Sequence, residues 1–275
     1  MTSWSHPGSP PPAPGDLVDL AAAVARRAAE LLLGGLPRAR ATAETKSTRT
    51  DMVSELDRAS EELVVSSLLA ERPADGILGE EGSAVEGTSG VRWVIDPLDG
   101  TTNYLYGLAG WAVSIAAEDG DGVVAGVVCD PVHGELFSAT RGGGARLDGR
   151  PITCSSAADL STALLATGFG YERTRRRAQA EVLVGVLPRI RDIRRFGSAA
   201  VDLCSVACGR VDGYFERGLE WWDLAAGSLI AAEAGAVVTG LPDGASPAGS
   251  VVAAAPGIVT PLRELLGSVG ADNVP

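Results

Sequence analysis

Apolar residues recur at three- and four-residue spacing from Asp16 to Leu33, and Gly34-Gly35 follows, so the pattern predicts a helix that the two glycines stop. A polar, threonine-rich loop is expected over Ala39–Thr50, then a second helix from Glu55 to Leu69, ahead of Pro73. Ile77–Gly79 and Arg92–Asp96 are short apolar runs that read as strands. The residue before a proline is pushed into an extended conformation, which puts Asp96 at the end of its strand. Glu86–Gly90 reads as the loop between them. Ala112–Glu118, Val123–Cys129 and Glu135–Ala139 are punctuated by Gly and Asp and predict antiparallel hairpins, with His133 in a turn. Beyond them, strands are expected at Leu164–Thr167, Asp212–Glu216, Val237-Val238 and Val251–Ala254. Helices are expected at Ala178–Pro188, Ala199–Cys208, Leu224–Ala234 and Thr260–Leu266. Such alternating groups define a layered α/β or α+β architecture without a fixed internal repeat.

Composition sharpens this picture in three ways. The 275 residues suit one large domain or two closely packed halves, and alanine carries much of the 45% hydrophobic share. No apolar run reaches membrane-spanning length, because Glu233 interrupts Leu229–Val238 and Pro256 interrupts the run from Val251. A net charge of −12 disfavours nucleic-acid and anionic-membrane partners, which need a basic face. The dense basic stretch is Arg173–Arg177, joined by Arg189, Arg191, Arg194 and Arg195, either a solvated face or a local anion or partner site. Cys129, Cys154, Cys204 and Cys208 form no metal-type motif and read as reduced residues of a cytoplasmic protein. Residues 1–15, rich in Pro, Ser and Gly, read as a disordered tail ahead of a single domain over 16–275, whose two halves meet near 150–160.

The chemistry concentrates in Trp93-Val-Ile-Asp-Pro-Leu-Asp-Gly-Thr-Thr-Asn103. Asp96 and Asp99 stand at the end of an apolar run, and Gly100, Thr101 and Thr102 follow at once. Asp-Pro and Asp-Gly also make ordinary turns. Gly100 lets backbone N–H groups approach a ligand, and Thr101 or Thr102 can cap a helix whose free N–H groups attract phosphate. Carboxylates directly before an anion site repel the anion unless cations lie between, which argues for metal bridging. Glu80-Glu81, between Gly79 and Gly82, and Asp223, after Trp221-Trp222, are further carboxylates that fit a ligand role, a solvated loop or a helix cap. With two histidines and no clustered cysteines, zinc is disfavoured, whereas oxygen ligation suits Mg²⁺.

These segments resemble the inositol monophosphatase family. The resemblance runs through Thr50-Asp-Met-Val-Ser-Glu-Leu-Asp57, Gly79–Gly82, Trp93–Asn103, Asp130-Pro131, Leu136-Phe137, Gly197–Ala200 and Trp222–Gly227. It implies an αβαβα sandwich of the inositol monophosphatase and fructose-1,6-bisphosphatase type. It also implies a Mg²⁺-dependent, Li⁺-sensitive phosphoric monoester hydrolase, forming a homodimer. The resemblance assigns one Mg²⁺ to Glu80, Asp96 and the Leu98 carbonyl, and a second to Asp96, Asp99 and Asp223. Glu80 also matches a weaker third site. Thr101 with Glu80 would orient and deprotonate the attacking water, and the N–H groups of Gly100 and Thr101 would hold phosphate, next to Thr102. Ser198, Ala200 and Glu216 match contacts to sugar-like hydroxyls. Asp51 matches a supporting carboxylate, Glu81 its neighbour, and Lys46 the loop that closes over the site. Departures are Tyr104 where Phe is usual, Ser54 where Thr is usual, and Glu220-Trp221 on the substrate side.

The leading expectation is hydrolysis of a small polyol phosphate, inositol-1-phosphate first. Histidinol phosphate, fructose bisphosphate and adenosine bisphosphate are alternatives on the same fold. Aspartyl-phosphate phosphatases space their two aspartates two residues apart, not three, which disfavours a covalent mechanism. A regulatory or binding role, seen in some bacterial relatives of the family, is the alternative of another class.

Overall fold

The computed structural model describes residues 13–41, 49–241 and 249–274. The first half holds α1 (Pro14–Ala41), α2 (Arg49–Glu71), β1 (Gly76–Gly79), β2 (Ala84–Val85), β3 (Arg92–Asp99) and α3 (Thr101–Tyr106). It continues with β4 (Ala112–Asp119), β5 (Gly122–Asp130), β6 (Glu135–Thr140), β7 (Gly144–Leu147) and β8 (Arg150–Pro151). The second half holds β9 (Leu164–Thr167), α4 (Arg173–Val186), β10 (Asp192–Arg194), α5 (Ala199–Ala207) and β11 (Gly213–Arg217). It ends with α6 (Trp221–Glu233), β12 (Val237–Thr239), β13 (Ser250–Ala254) and α7 (Val259–Ser268).

The first eight strands form one sheet in the order β2-β1-β3-β4-β5-β6-β7-β8, antiparallel except for the β1–β3 pair. The second sheet has the order β10-β9-β11-β13-β12. Period-two alternation sorts each strand's residues between two cores. Trp93, Ile95, Val113, Ile115 and Val127 pack under α1 and α2, while Val94, Ala116 and Val128 face the other way, onto α5 and α6. The second sheet repeats the arrangement. Ala166, Tyr214 and Ala253 face α5 and α6, while Leu165, Phe215 and Val252 face α4 and α7. Helix pair, sheet, helix pair, sheet, helix pair give the expected five layers.

The middle layer explains the alanine content. All nine residues of α5 are buried, because both its faces meet a sheet. α6 lies so close to β5 that a Cβ on Gly126 would come 3.0 Å from the Ala226 Cα.

Several expected boundaries move. Gly34-Gly35 does not stop α1, which continues to Ala41. A methyl at Gly35 would fall 2.8 Å from Leu56 and 2.9 Å from the Tyr104 hydroxyl, so this glycine permits close packing of α1 on its neighbours. Tyr104 in turn donates to the Leu32 carbonyl at 2.6 Å. Pro14 and Gly15, placed in the tail by composition, open α1, where a proline costs no hydrogen bond. The rest of the tail and Lys46 lie outside the described residues, as does the side chain of Asp51. The expected 39–50 loop is shorter than its composition suggests, since α1 and α2 enter it from both sides. α2 runs from Arg49 to Glu71 and α4 begins at Arg173, both earlier than the apolar pattern shows. Cys129 and Cys204 are buried, Cys154 and Cys208 half-buried, and all four are free thiols. Among the described residues no helix is long and apolar enough to cross a membrane.

Candidate active site

β1 and β3 run parallel and deliver their C-terminal ends together, so the Glu80 N–H bonds to the Ile95 carbonyl at 3.2 Å. β3 does not end at Asp96. It continues to Asp99, with its register against β4 broken between these two carboxylates. Pro97, which has no N–H, lies inside that irregularity. The Asp96 carboxylate accepts the Leu98 N–H at 3.0 Å, and Ser60 donates to the Pro97 carbonyl at 3.1 Å, fixing the bulge. Gly100 then adopts φ 92° and heads α3. A Cβ there would sit 2.6 Å from the Gly110 carbonyl. Neither threonine caps this helix. Thr101 donates back to the Leu98 carbonyl at 3.1 Å.

The second half closes onto this turn through α5 and α6. The Asn103 amide donates to the carbonyls of Gly110 and Phe196, both at 2.6 Å, tying α3 to the segment before α5. Ser198 caps α5, and its hydroxyl donates to Asp99 at 2.7 Å. The Ala200 N–H reaches the same Asp99 oxygen at 2.7 Å. Asp223 is not the cap of α6. Glu220 is the cap, and Asp223 sits three residues inside, accepting the Glu220 N–H at 2.7 Å. Glu216, on β11, accepts from the buried Tyr214 hydroxyl at 2.7 Å. Gly168 makes this placement possible, since any Cβ there would clash with the Glu216 carboxylate.

These elements enclose a cavity of about 250 Å³. Glu80, Asp96, Leu98, Asp99, Gly100, Thr101 and Asp223 line one wall, and Glu216, Arg195, Arg175, Tyr171 and Trp222 also border the space. Its carboxylates oppose one another. Burial, then the charges of Glu80, Asp99 and Asp223, holds the Asp96 carboxyl well above the usual carboxylate range. Burial also raises Glu80, opposed by a hydrogen bond with Asp96 and reinforced by Asp99 and Glu81. Asp223 is pushed up to about 8 by burial and by Asp99. Burial raises Asp99 to about 6, although Ser198, Ala200 and Arg195 pull it down. Burial raises Glu216 to about 7. Among the described residues, no three His, Cys, Asp or Glu side chains already converge as a closed metal cage. Glu80, Asp96, Asp99 and Asp223 share one cavity, with Glu216 on its border.

The remaining expected residues divide. Ser198 and Ala200 reach the site, but their hydroxyl and N–H are spent on Asp99. Thr102 does not border the cavity. Glu81 is exposed and turned toward Arg58, at 3.7 Å. Sequence reasoning passed over Asp57, which lies beneath Glu80 and Glu81. It is 6% exposed, and burial with the charges of Glu81, Glu80 and Glu61 lifts its carboxyl to about 8. Its signal was a polar position on the core-facing side of α2. Arg175 and Arg195 belong to the basic stretch that reads in the sequence as a solvated face or a local anion or partner site, and both border this cavity.

A five-layer αβαβα sandwich with a carboxylate-lined cavity at the ends of β1 and β3 is the architecture of a phosphatase superfamily. The model of the inositol monophosphatase family matches residues 15–269, and the chain belongs to that family. It is 49% identical over 234 residues to the inositol-1-monophosphatase of Mycobacterium leprae, covering 80% of each chain. It is 41% identical over 257 residues to the Nus factor SuhB of Pasteurella multocida, covering 92% of this chain and 95% of that one. Among solved structures, Mycobacterium tuberculosis SuhB superposes with a TM-score of 0.81 at 44% identity, covering 94% of this chain and 98% of that one.

Proposed function

We propose that this protein is a Mg²⁺-dependent phosphomonoesterase acting on a small polyol phosphate, with inositol-1-phosphate its leading substrate. The carrying observation is the set of Glu80, Asp96, Asp99 and Asp223 around one cavity, each with its carboxyl raised by burial and most by one another's charge. Such a set is unfavourable alone and becomes favourable when hard cations lie between its oxygens. The donors are all oxygen, as Mg²⁺ prefers. The names of the mycobacterial relatives support the substrate.

In this reading Glu80, Asp96 and the Leu98 carbonyl would hold one Mg²⁺, and Asp96, Asp99 and Asp223 a second, with Glu80 also serving a weaker third site. Bound Mg²⁺ supplies an activated water and neutralises phosphoryl oxygens. Thr101 and Glu80 would orient the attacking water, and Glu80 would take its proton. The N–H groups of Gly100 and Thr101 hold the phosphate. Glu216, with its Tyr214 anchor, faces the polyol hydroxyls. Ser198 and Ala200 fix the Asp99 carboxylate, so their contribution to substrate passes through it. The protein works as a cytoplasmic homodimer and is inhibited by Li⁺. Phosphate release across inositol, histidinol, fructose and adenosine phosphates at several Mg²⁺ levels tests this. Inositol-1-phosphate should turn over fastest, and a rate independent of Mg²⁺ would defeat the reading.

Relatives named Nus factor SuhB give a regulatory role as the second reading. The exposed Arg173 and Arg177 on α4 are the surface to neutralise in a partner-binding test.

A further inference from the structure

The first turns of α4 are tied to the loop that precedes them. Arg176 donates to the carbonyls of Gly170 and Tyr171. Gln179, three residues further along the helix and so on a neighbouring surface position, accepts the Gly170 N–H through Oε1 at 2.9 Å. Its Nε2 donates to the Arg217 carbonyl at 3.4 Å, at the end of β11. These partners fix the amide's orientation, since only its oxygen accepts an N–H and only its nitrogen serves a carbonyl. Gln179 is 8% exposed, and an amide buried this far is costly unless its bonds are made. Arg177, by contrast, pairs with Glu181 at 3.1 Å on the exposed face of the helix.

The two segments that Gln179 joins both belong to the wall of the carboxylate cavity, which residues 168–171 and 218–220 border. Neither segment supplies Glu80, Asp96, Asp99 or Asp223, so this part of the wall is left to the leaving group. Gly168 lies against the Glu216 carboxylate so closely that no Cβ fits between them. The position of the loop is therefore part of the geometry around Glu216. Gly168 and Gly170 also give this loop a conformational freedom that is lost when it is ordered. Its own composition does not hold it in place, whereas Gln179 and Arg176 take both polar groups of Gly170.

We infer that Gln179 is a specificity-determining positioning residue, which locks the 168–171 loop to the end of β11 so that the cavity selects ring-sized leaving groups over short ones. The inference rests on the phosphatase reading above and deepens it. A ring-sized polyol, with its phosphate at Gly100 and Thr101, extends to Glu216 and the locked wall. A two-carbon alcohol is too short to use that wall. Gln179 itself touches no substrate and takes no part in bond breaking.

The test compares wild-type protein with Gln179→Met and Gln179→Glu on inositol-1-phosphate and on 2-hydroxyethyl phosphate, whose leaving group is a two-carbon alcohol. The measured quantity is the ratio of kcat/KM between the two substrates, with kcat and KM resolved for each. Wild-type protein should favour inositol-1-phosphate. Gln179→Met fills similar space without either bond and should lower the ratio about fivefold, through KM. Gln179→Glu keeps the acceptor for the Gly170 N–H and loses the donor to Arg217, so its ratio should fall between, and it carries the comparison if Gln179→Met does not fold. Mg²⁺ binding followed by calorimetry should be unchanged in both variants. Thermal unfolding reports any loss of fold, and a ratio is insensitive to the fraction of active protein. Equal falls on both substrates, as a purely structural role would give, overturn the inference, and so does a loss of Mg²⁺ affinity that tracks the loss of activity. Ratios unchanged in both variants, or wild-type protein that hydrolyses the two substrates without preference, overturn it as well and leave the phosphatase reading standing. No phosphate release from either substrate by wild-type protein overturns the phosphatase reading and the lock together.

Discussion

Asp223→Asn should make the metal-free protein more stable while destroying its turnover. The Asp223 carboxylate sits in the first turn of α6, facing Asp99, Glu80 and Glu216, and its carboxyl is pushed up to about 8. Each unit of such a shift corresponds to about 1.4 kcal/mol between the two protonation states. The full shift overstates the gain, because Asp223 is only half-buried and water screens part of the repulsion. A gain of roughly 2 kcal/mol at pH 8.5 is the working figure, equivalent to about 5 °C in Tm for a domain of this size. Asparagine keeps the carbonyl oxygen that accepts the Glu220 N–H, so the helix cap survives. The assay is thermal unfolding in chelator at pH 8.5, repeated with millimolar Mg²⁺. Wild-type protein should gain stability from Mg²⁺ by mass action, and the variant should gain much less. If the variant melts at or below wild type in chelator, and both rise equally with Mg²⁺, the carboxylates are not in mutual conflict and the reasoning is wrong.

The same conflict sets the pH dependence of the metal-free fold. Asp57, Asp96, Asp99, Asp223 and Glu80 all bind protons more tightly folded than unfolded. Stability must then fall as pH rises from the ordinary carboxylate range toward about 8, and a Tm rising between pH 5 and 8.5 in chelator would contradict the assignment. Gly100→Ala forces an L side chain to φ 92° and toward the Gly110 carbonyl at 2.6 Å. Urea unfolding should show a loss of roughly 2–4 kcal/mol, well beyond an ordinary glycine replacement. Tyr214→Phe releases Glu216 and should raise KM more than it lowers kcat, as steady-state kinetics on inositol-1-phosphate will show.

Much of the architecture was legible because its signals are local. The apolar run Arg92–Asp96 read as a buried strand, and the hairpins from β4 to β6 followed from their Gly and Asp punctuation. Boundaries failed where tertiary contact overrides propensity. Gly35 looks like a helix stop, but Leu56 and Tyr104 need its missing side chain. Asp96 looks like a strand end before proline, but pairing with β4 resumes at Asp99 beyond the bulge. The carboxylate cavity was foreseen from the Asp96–Thr101 segment together with Glu80 and Asp223. Its supports were not, because Asp57, Arg175 and Tyr214 reach it only through packing between elements distant in sequence. Nothing in the local pattern separates Arg175 from its exposed neighbours on α4.

The central claim is that the carboxylate cavity is a Mg²⁺ site, and calorimetric titration of Mg²⁺ into metal-free protein at pH 7, in buffers of different ionisation enthalpy, tests it most directly. Asp223 at about 8, and Asp96, held well above the usual carboxylate range, must lose protons when cations enter. The account predicts saturable binding with net proton release of about one or more per protein, and loss of that binding in Asp96→Asn, with the variant still folded. Binding that expels no protons, or that survives unchanged in Asp96→Asn, would contradict it.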